Sequence, residues 1–532
     1  MLTQQPVNIF GISKRTFTEF LLSEKIIIPF IIILGFILRV IDLGSESLSF
    51  DEIYSVRLAQ MNFAGIINVT AYDYHPPLYY FLLHLWVLFS GVGETGVRML
   101  SVLFNTAAIW MTFKTGKILF DKHTGILAAL LFAVSHFNVE FSQEARMYSL
   151  LALLSISSMY FLLSYLKYAQ KSSLFYLVLV NILLLHTHVY SFFVVAAELI
   201  YFFSLAKTDK NNFKLRLKNF LLAQLFIFLA FLPWATVFLR QFLNAQQNLW
   251  IPKAGSLVLV ESIIEYSGSL LLAVLMIPLA FFSIVSTEWT LKINPPGQFR
   301  RSLDLTISNT KEAIFLLTWL SVPILLPFII SQFLSPIFLV KYTIGVCAAF
   351  IIFVAKGLIN VHVTPARITL ITIILLLSFF NVFADMNVKT KEKWREAVEF
   401  IDSGAQKDDL VIFNTAACID LFNYYSNRKD LSKLPLTLNN DQLNQDSIKA
   451  IVMPLLENNK RIWLLVSHST DGKGLLVSEL KNLTNFSSLQ QFSSNYRRYF
   501  FIRKYDSNEF DFYLMKVYYS PDISVYFFKK NN

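Results

Sequence analysis

Apolar residues in this chain collect into long blocks near 26–42, 97–116, 124–141, 148–166, 174–188, 189–206, 218–238, 263–286, 314–334, 337–355 and 368–385. Runs of roughly 17–24 apolar residues are long enough to cross hydrocarbon as helices. The pattern therefore predicts a polytopic membrane protein with about eleven transmembrane helices. A twelfth apolar stretch, Pro76–Ser90, competes for that status. The basic residues decide against it. With eleven spans and the N-terminus inside, Lys114, Lys117, Lys122, Lys167, Lys171, Lys207, Lys210, Lys214, Arg216, Lys218, Lys292, Arg300, Arg301, Lys311, Lys356 and Arg367 all face the cytoplasm. The other side keeps only Arg57, Arg98, Arg146, Arg240, Lys253 and Lys341, and Arg39 sits near the outer end of the first helix. Cytoplasmic loops carry the excess of Lys and Arg, and a twelfth span would invert every later loop. Pro76–Ser90 is thus expected to be an interfacial or re-entrant helix, its two prolines marking the start. The loop from Leu43 to Thr95 and the tail beyond about Asp385 then lie outside the cytoplasm.

The tail, 386–532, changes character. An amphipathic helix (Lys391–Ile401) precedes short apolar strands at Asp409–Phe413, Arg461–Val466, Tyr499–Arg503 and Phe510–Val517. Helical patterns alternate with them at Ile419–Tyr425, Ser447–Glu457 and Leu475–Asn482. That alternation predicts a small α/β domain. It contains no Gly-rich phosphate loop, no metal-ligand spacing and no nucleophile motif. The expected organisation is a cytoplasmic tail over 1–25, a transmembrane domain over 26–385 with an outer loop at 43–96, and an extracytoplasmic domain over 386–532. The segment Phe10–Leu22 is either an interfacial amphipathic helix or a plain tail. Asn294-Pro295-Pro296-Gly297, in the longest cytoplasmic loop, is a turn.

Composition agrees with this picture. The chain has 532 residues, 55% hydrophobic and only 15% charged, with 51 Phe, against about 25% charged in a soluble protein. The net charge of +10 follows from the cytoplasmic loops, so it does not imply nucleic-acid binding. Two cysteines, Cys347 and Cys418, exclude a disulfide framework.

Candidate chemistry gathers on the outer border. It comprises Asp51, Glu52, Tyr54 and Arg57 after the first helix, Asp73 and His75 before the Pro76–Ser90 helix, and Arg98 opening the second span. Glu140, Ser142, Gln143, Glu144, Arg146 and Tyr148 follow the third span, and His186, His188 and Tyr190 form the next outer turn. Ionisable groups at a membrane border carry function by default. Asp51 and Glu52 are adjacent, so on a helix their side chains diverge by about 100° and one of them faces a reacting centre. The acids equally suit a helix N-terminus beginning at Ser49; the two roles are compatible. Arg98 and Arg146 offer permanent charge and a bidentate fork to a phosphate, or simply snorkel. His186 and His188, two apart, point to different faces. Together the groups suggest transfer from a phosphate-bearing lipid, with a carboxylate activating an acceptor and arginines neutralising the leaving phosphate.

The order FDEIYSVRLA, HPPLYYFLLHLW, GVRMLSVLF and SQEARMYSLLAL, spread over about residues 25–200, resembles the GT-C superfamily of membrane glycosyltransferases. Within it, the resemblance is to the bacterial family related to protein O-mannosyltransferases and the lipid A aminoarabinose transferase. The resemblance implies Asp51 as catalytic base with Glu52 beside it, and donor-phosphate contacts from Arg98, Arg146, His75 and Lys341. Lys341-Tyr342 stands where the family often carries Arg-Tyr. Tyr54, Arg57, Asp73, Gln143, Glu144, Tyr148 and His188 are the implied substrate contacts. The implied reaction moves one sugar, with inversion, from a polyprenyl-phosphate donor to an envelope glycan, lipid or protein acceptor, at a bacterial inner membrane. Some relatives use a divalent metal, for which Asp51, Glu52 and His75 are the candidate ligands; arginines alone also suffice for a monophosphate. The competing readings are a transporter or flippase of lipid-linked saccharides and a non-catalytic binder of them.

Overall fold

All eleven apolar blocks become helix. The computed structural model describes residues 23–206, 210–248, 251, 253–294, 298–307, 309–386, 391–436, 445–467, 474–493 and 523–529. The segments Phe10–Leu22, Tyr499–Arg503 and Phe510–Val517 lie outside the described residues. In chain order the helices begin with α1 (Glu24–Val40), α2 (Phe50–Ala59), α3 (Phe63–Thr70), α4 (Leu78–Ser90) and α5 (Glu94–Leu119). Next come α6 (Lys122–Ala133), α7 (His136–Ser142), α8 (Tyr148–Tyr168), α9 (Lys171–Leu185), α10 (Ser191–Ser204), α11 (Lys210–Asn248), α12 (Leu257–Ser267) and α13 (Leu270–Phe282). After a β1–β2 hairpin follow α14 (Thr310–Phe333), a 3-10 turn (Val340–Val346), α15 (Cys347–Ile359) and α16 (Thr364–Met386). The chain divides into two compact units. One comprises Met1–Ile41, Met61–Gly91 and Gly96–Phe383; the other comprises Asp42–Gln60, Val92–Thr95 and Ala384–Asn532.

Among the described residues of the first unit six helices are long and apolar enough to cross a membrane, and eight spans result if two bent pairs each count once. The pairs are α6 with α7, bent by 55°, and α12 with α13, bent by 92°. The remaining three apolar blocks form α1, α9 and α10, of 17, 15 and 14 residues. The Pro76–Ser90 stretch is the short helix α4, begun at Leu78 directly after the two prolines.

A bend in an apolar chain frees carbonyls that must find donors. Arg39 of α1, 0% exposed, supplies them at the α6–α7 break. Its guanidinium donates to the carbonyls of Ala133 (2.9 Å) and Phe132 (3.3 Å), to Asn105 Oδ1 (3.0 Å) and to Gly35 O (2.8 Å). Gly35 leaves the room: a Cβ there would lie 2.3 Å from Ile109 Cδ1 and 3.2 Å from Arg39 Nη1. In return Gln143, just past α7, donates to the carbonyls of Arg39 (3.1 Å) and Ile41 (2.8 Å), capping the end of α1. Elsewhere Ser158, Asn181 and Glu198, all fully buried, close a polar triad that ties α8, α9 and α10. The stretch treated as a cytoplasmic loop from sequence holds two strands, β1 (Val285–Asn294) and β2 (Gln298–Ile307), paired antiparallel with Asn294 opposite Gln298. Of the expected Asn294–Gly297 turn, Pro295, Pro296 and Gly297 lie outside the described residues.

The second unit carries α17 (Trp394–Gly404), β3 (Leu410–Phe413), α18 (Cys418–Tyr425), β4 (Ser432–Pro435), α19 (Gln445–Asn458), β5 (Arg461–Val466), α20 (Leu475–Leu483), β6 (Asn485–Phe492) and β7 (Ile523–Lys529). The expected helices and the two expected strands that fall on described residues are present within about three residues of their expected limits. Strands β4, β6 and β7, weakly alternating or distant in sequence, are additions. The sheet order is β4-β3-β5-β7-β6, with β4, β3 and β5 parallel and β7 antiparallel to both its neighbours. Ile412, Leu464 and Phe528 face a core closed by Ile448, Val452 and Leu480 of α19 and α20.

Two outcomes follow for stability. Arg39→Met should cost about 3 kcal/mol, the order expected when buried carbonyls and an amide lose a charged donor, read as a lower unfolding midpoint in detergent. Cys418 is buried, and burial pushes its thiol up to about 12 from an ordinary 9.0. At pH 8 the thiolate fraction is then about 1 in 10⁴, so a maleimide should label it only after unfolding. Because the unfolded thiol ionises first, the stability of this unit should fall as pH rises above about 9.

Candidate active site

Helix α2 positions the acidic pair. Ser49 is its N-cap: the Glu52 N–H donates to Ser49 Oγ (3.4 Å), while the Ser49 N–H donates to Glu52 Oε2 (3.0 Å). This reciprocal capping box satisfies two otherwise orphaned donors. Glu52 is 0% exposed, and its Oε2 also pairs with Lys391 Nζ at 3.1 Å. Its carboxylate is therefore committed to holding the helix start. Asp51, one residue earlier and half-buried, leaves the helix about 100° away from it. Its backbone carbonyl accepts from Ser55 Oγ (3.1 Å). Of the two acids, Glu52 thus takes the capping role that the sequence offered to both.

The rest of the second unit grips the segment around α2. Tyr425 donates to Glu94 Oε1 (2.7 Å) and receives the Leu48 N–H (2.7 Å). Arg395 pairs with Glu94, Tyr424 donates to the Val92 carbonyl (2.7 Å), and Arg57 pairs with Asp420 at 2.5 Å. Burial, then the hydrogen bond to Glu94, push the Tyr425 phenol above its ordinary range. The phenol is thus a fixed neutral donor. Arg57, a candidate substrate contact, points at Asp420. Tyr54 is half-buried on the same helix.

In the first unit, five separate segments converge. The backbone N–H of Leu78, opening α4, donates to His186 O (3.1 Å). This brings His75 against His188, with ring centroids 4.8 Å apart. The His188 ring lies 4.7 Å from Tyr342 and 5.7 Å from Tyr190, and Tyr148 lies 6.1 Å from Tyr342. Lys341 Nζ sits 5.3 Å over the Tyr148 ring. Arg146 donates from Nη1 to Tyr80 Oη (3.3 Å), and its carbonyl accepts from Ser101 Oγ (3.2 Å), one turn past Arg98. Arg98 and Arg146 are 1% and 4% exposed, so neither is a snorkelling helix-end arginine. His188 is fully buried; its Nδ1 accepts the Tyr190 N–H (3.1 Å). In the neutral ring the proton must then sit on Nε2, which has no hydrogen-bond partner.

His75, Arg146, Tyr148, His188 and Lys341 thus share one cluster of an arginine, a lysine, two imidazoles and tilted phenol rings, with buried Arg98 one turn before Ser101, whose hydroxyl donates to the Arg146 carbonyl. Asp73 and Glu144 are half-buried on the segments that enter it. Gln143 is occupied in capping α1. Tyr190 and Tyr342, noted in the sequence beside His188 and Lys341, belong to the cluster as well; Tyr80 was not singled out, and the run Leu-Tyr-Tyr was its only hint. Lys391 had no local signal, since it lies 339 residues from Glu52. Among the described residues no group of three His, Cys, Asp or Glu side chains could hold a metal ion. Glu52 is consumed by its cap and its lysine. The candidate set Asp51, Glu52 and His75 does not fit a metal site, and no step below uses one.

Lys391→Met should leave the Glu52 charge buried without its cation, costing about 3 kcal/mol. Hydrogen exchange over residues 49–60 should rise. Adding Glu52→Gln, which keeps the reciprocal cap, should recover most of the loss.

Residues 74–236, which contain this cluster except for Lys341 and Tyr342, match the dolichyl-phosphate-mannose-protein mannosyltransferase family. None of the curated proteins matches the sequence. Among solved structures, the chain is similar to apo ArnT from Cupriavidus metallidurans, with a TM-score of 0.58 and 10% identity over 93% of this chain and 97% of that one. It is also similar to the same ArnT bound to undecaprenyl phosphate (TM-score 0.56, 9% identity, 95% and 98% covered). The apo oligosaccharyltransferase of Archaeoglobus fulgidus gives a TM-score of 0.53 at 11% identity, over 93% of this chain and 75% of that one. The likeness to ArnT runs over nearly the full length of both chains, and the chain therefore has the fold of the GT-C membrane glycosyltransferases.

Proposed function

We propose that the protein is a membrane glycosyltransferase that moves a single sugar from a polyprenyl-phosphate donor to an acceptor at the outer face of a bacterial inner membrane. The observation that carries this reading is the cluster of buried Arg98 and Arg146 with Lys341 among aromatic rings and an Nε2–H donor on His188. Arginine forks beside a lysine and an imidazole N–H match the oxygens of a phosphate in charge and geometry, and a lipid phosphate supplies them. The family match over residues 74–236 and the fold shared with an ArnT that binds undecaprenyl phosphate support it.

In the proposed reaction an acceptor hydroxyl or amine attacks the anomeric carbon opposite the phosphate. The new bond forms as the carbon–oxygen bond to phosphate breaks, inverting the centre, and the acceptor proton passes to the Asp51 carboxylate. Arg98, Arg146 and Lys341 balance the charge that develops on the departing polyprenyl phosphate, and His75 and His188 donate to its oxygens. Tyr148 lines the sugar side with its ring, and Asp73 and Glu144 are polar contacts to sugar hydroxyls. Glu52 holds Asp51 in place through the cap of α2, and Arg57 fixes that helix through Asp420; Tyr54 is a further substrate contact, and Gln143 fixes the end of α1. The outer-face assignment follows from the distribution of Lys and Arg.

The test is transfer by purified protein in liposomes, with a panel of polyprenyl-phosphate sugars and native membrane extract as acceptor. Asp51→Asn should lower turnover by about 10²–10⁴-fold while donor affinity stays within about twofold of wild type. Equal turnover by both proteins would remove Asp51 as the base. Equilibration of the donor across the bilayer without transfer would replace the enzyme by a transporter.

A further inference from the structure

The sheet of the second unit has a topological switch point. From β3 the chain leaves towards β4 on one side, whereas from β5 it continues to β6 and β7 on the other. Adjacent parallel strands that depart in opposite directions open a crevice at their carboxyl ends, where α/β sheets bind ligands. Here that crevice is a cavity of about 320 Å³, at the small end of the ligand range of roughly 300–1,000 Å³. It is lined by Asn414 directly after β3, Val466 at the end of β5, Gly474 and Ser478 in the first turn of α20, Lys481 one turn on, and Tyr526 of β7. Helix α20 starts at Gly474 in the left-handed region (φ 60°), and no side chain caps it.

Asn414 makes this more than an uncapped helix. It is 3% exposed. Its N–H donates to Leu465 O (3.2 Å) and its Oδ1 accepts the Ser467 N–H (3.0 Å), so it bridges the ends of β3 and β5. With Oδ1 so fixed, the Nδ2 group is left buried at the cavity with no hydrogen-bond partner. An unpaired buried donor is costly, and a ligand acceptor relieves that cost. Among the described lining residues the electrostatics run one way: two amide protons, the positive end of a helix and the Lys481 ammonium. Lys481 is held over the rings of Phe486 (4.9 Å) and Tyr526 (5.5 Å). Opposite lies an apolar wall of Val466 and the Tyr526 ring. Such a site takes a small molecule with one acidic oxygen group and a less polar face.

We propose that this crevice binds an acidic sugar, carrying a carboxylate or a phosphate, as part of the acceptor saccharide. The carboxylate or phosphate oxygens accept from Asn414 Nδ2 and the first turn of α20 and pair with Lys481, and the sugar ring lies against Tyr526. The sugar identity rests on the reading of the chain as a sugar transferase; the oxyanion chemistry does not.

The experiment is calorimetric titration of the full-length protein in nanodiscs with glucuronic acid, glucose 6-phosphate, glucose and inorganic phosphate. Saturable binding of one or both acidic sugars is expected, at least tenfold tighter than glucose or phosphate alone, and the one that binds identifies the acid. Asn414→Asp keeps the Oδ1 acceptor for Ser467 and replaces the donor by a negative oxygen; it should weaken binding at least tenfold. Lys481→Gln should weaken it about threefold or more. Protection of Cys418 from maleimide verifies that each variant is folded. No saturable binding of either acidic sugar, equal binding of glucose, equal binding of phosphate alone, or affinity unchanged in folded Asn414→Asp would each overturn the proposal. Transfer is measured separately: acidic-sugar binding with no transfer from any donor removes the transferase reading and leaves this site standing, and transfer without such binding does the reverse.

Discussion

A chain this apolar cannot leave a backbone carbonyl without a donor, and the first unit depends on how it meets that demand. Helices that run unbroken satisfy themselves. Where α6 gives way to α7 the helical ladder breaks, and Arg39 reaches across from α1 to donate to the carbonyls of Ala133 and Phe132, the latter shared with the Ser135 N–H. The exchange is reciprocal, since Gln143 beyond the break caps α1. The bend so secured delivers Arg146 and Tyr148 to the cluster that also holds His75, His188 and Lys341. An arginine that looks misplaced on a hydropathy profile is thus the part that lets a functional segment enter the fold.

The same economy of polar groups separates structure from chemistry in the acidic pair. Glu52 is spent on the Ser49 cap and on Lys391, and that commitment defines where α2 begins and which way Asp51 leaves it. The proposed base is therefore not held by its own contacts alone. It is held through a neighbour whose partner belongs to the α/β tail. The segment Asp42–Gln60 clusters with that tail, so the tail has a physical stake in the proposed chemistry through the geometry of α2. The crevice between β3 and β5 gives it a second one of a different kind, an unsatisfied donor where a ligand belongs.

The sequence by itself determined the helical, membrane-spanning character of the chain. Long apolar blocks have no other low-energy state in hydrocarbon, and all eleven of them became helix. It also determined the start of α4 after Pro76-Pro77, the capped start of α2 at Ser49, and most described elements of the tail. Each of these is a local signal, carried by residues within one or two turns of one another. It further offered Asp51, His75, Arg98, Arg146, His188 and Lys341 as candidates for the chemistry, from their types, their order and the resemblance to a known family. Only the tertiary structure decided which of them meet. Lys391 reaches Glu52 across 339 positions, Tyr190 and Tyr342 close around His188, and Asn414 spans two strand ends to leave one donor over. The β1–β2 hairpin and strands β4, β6 and β7 escaped notice for the same reason, because a strand is stabilised by partners that lie elsewhere in the chain. Pairing of that kind is a property of the folded arrangement, and no window of sequence contains it.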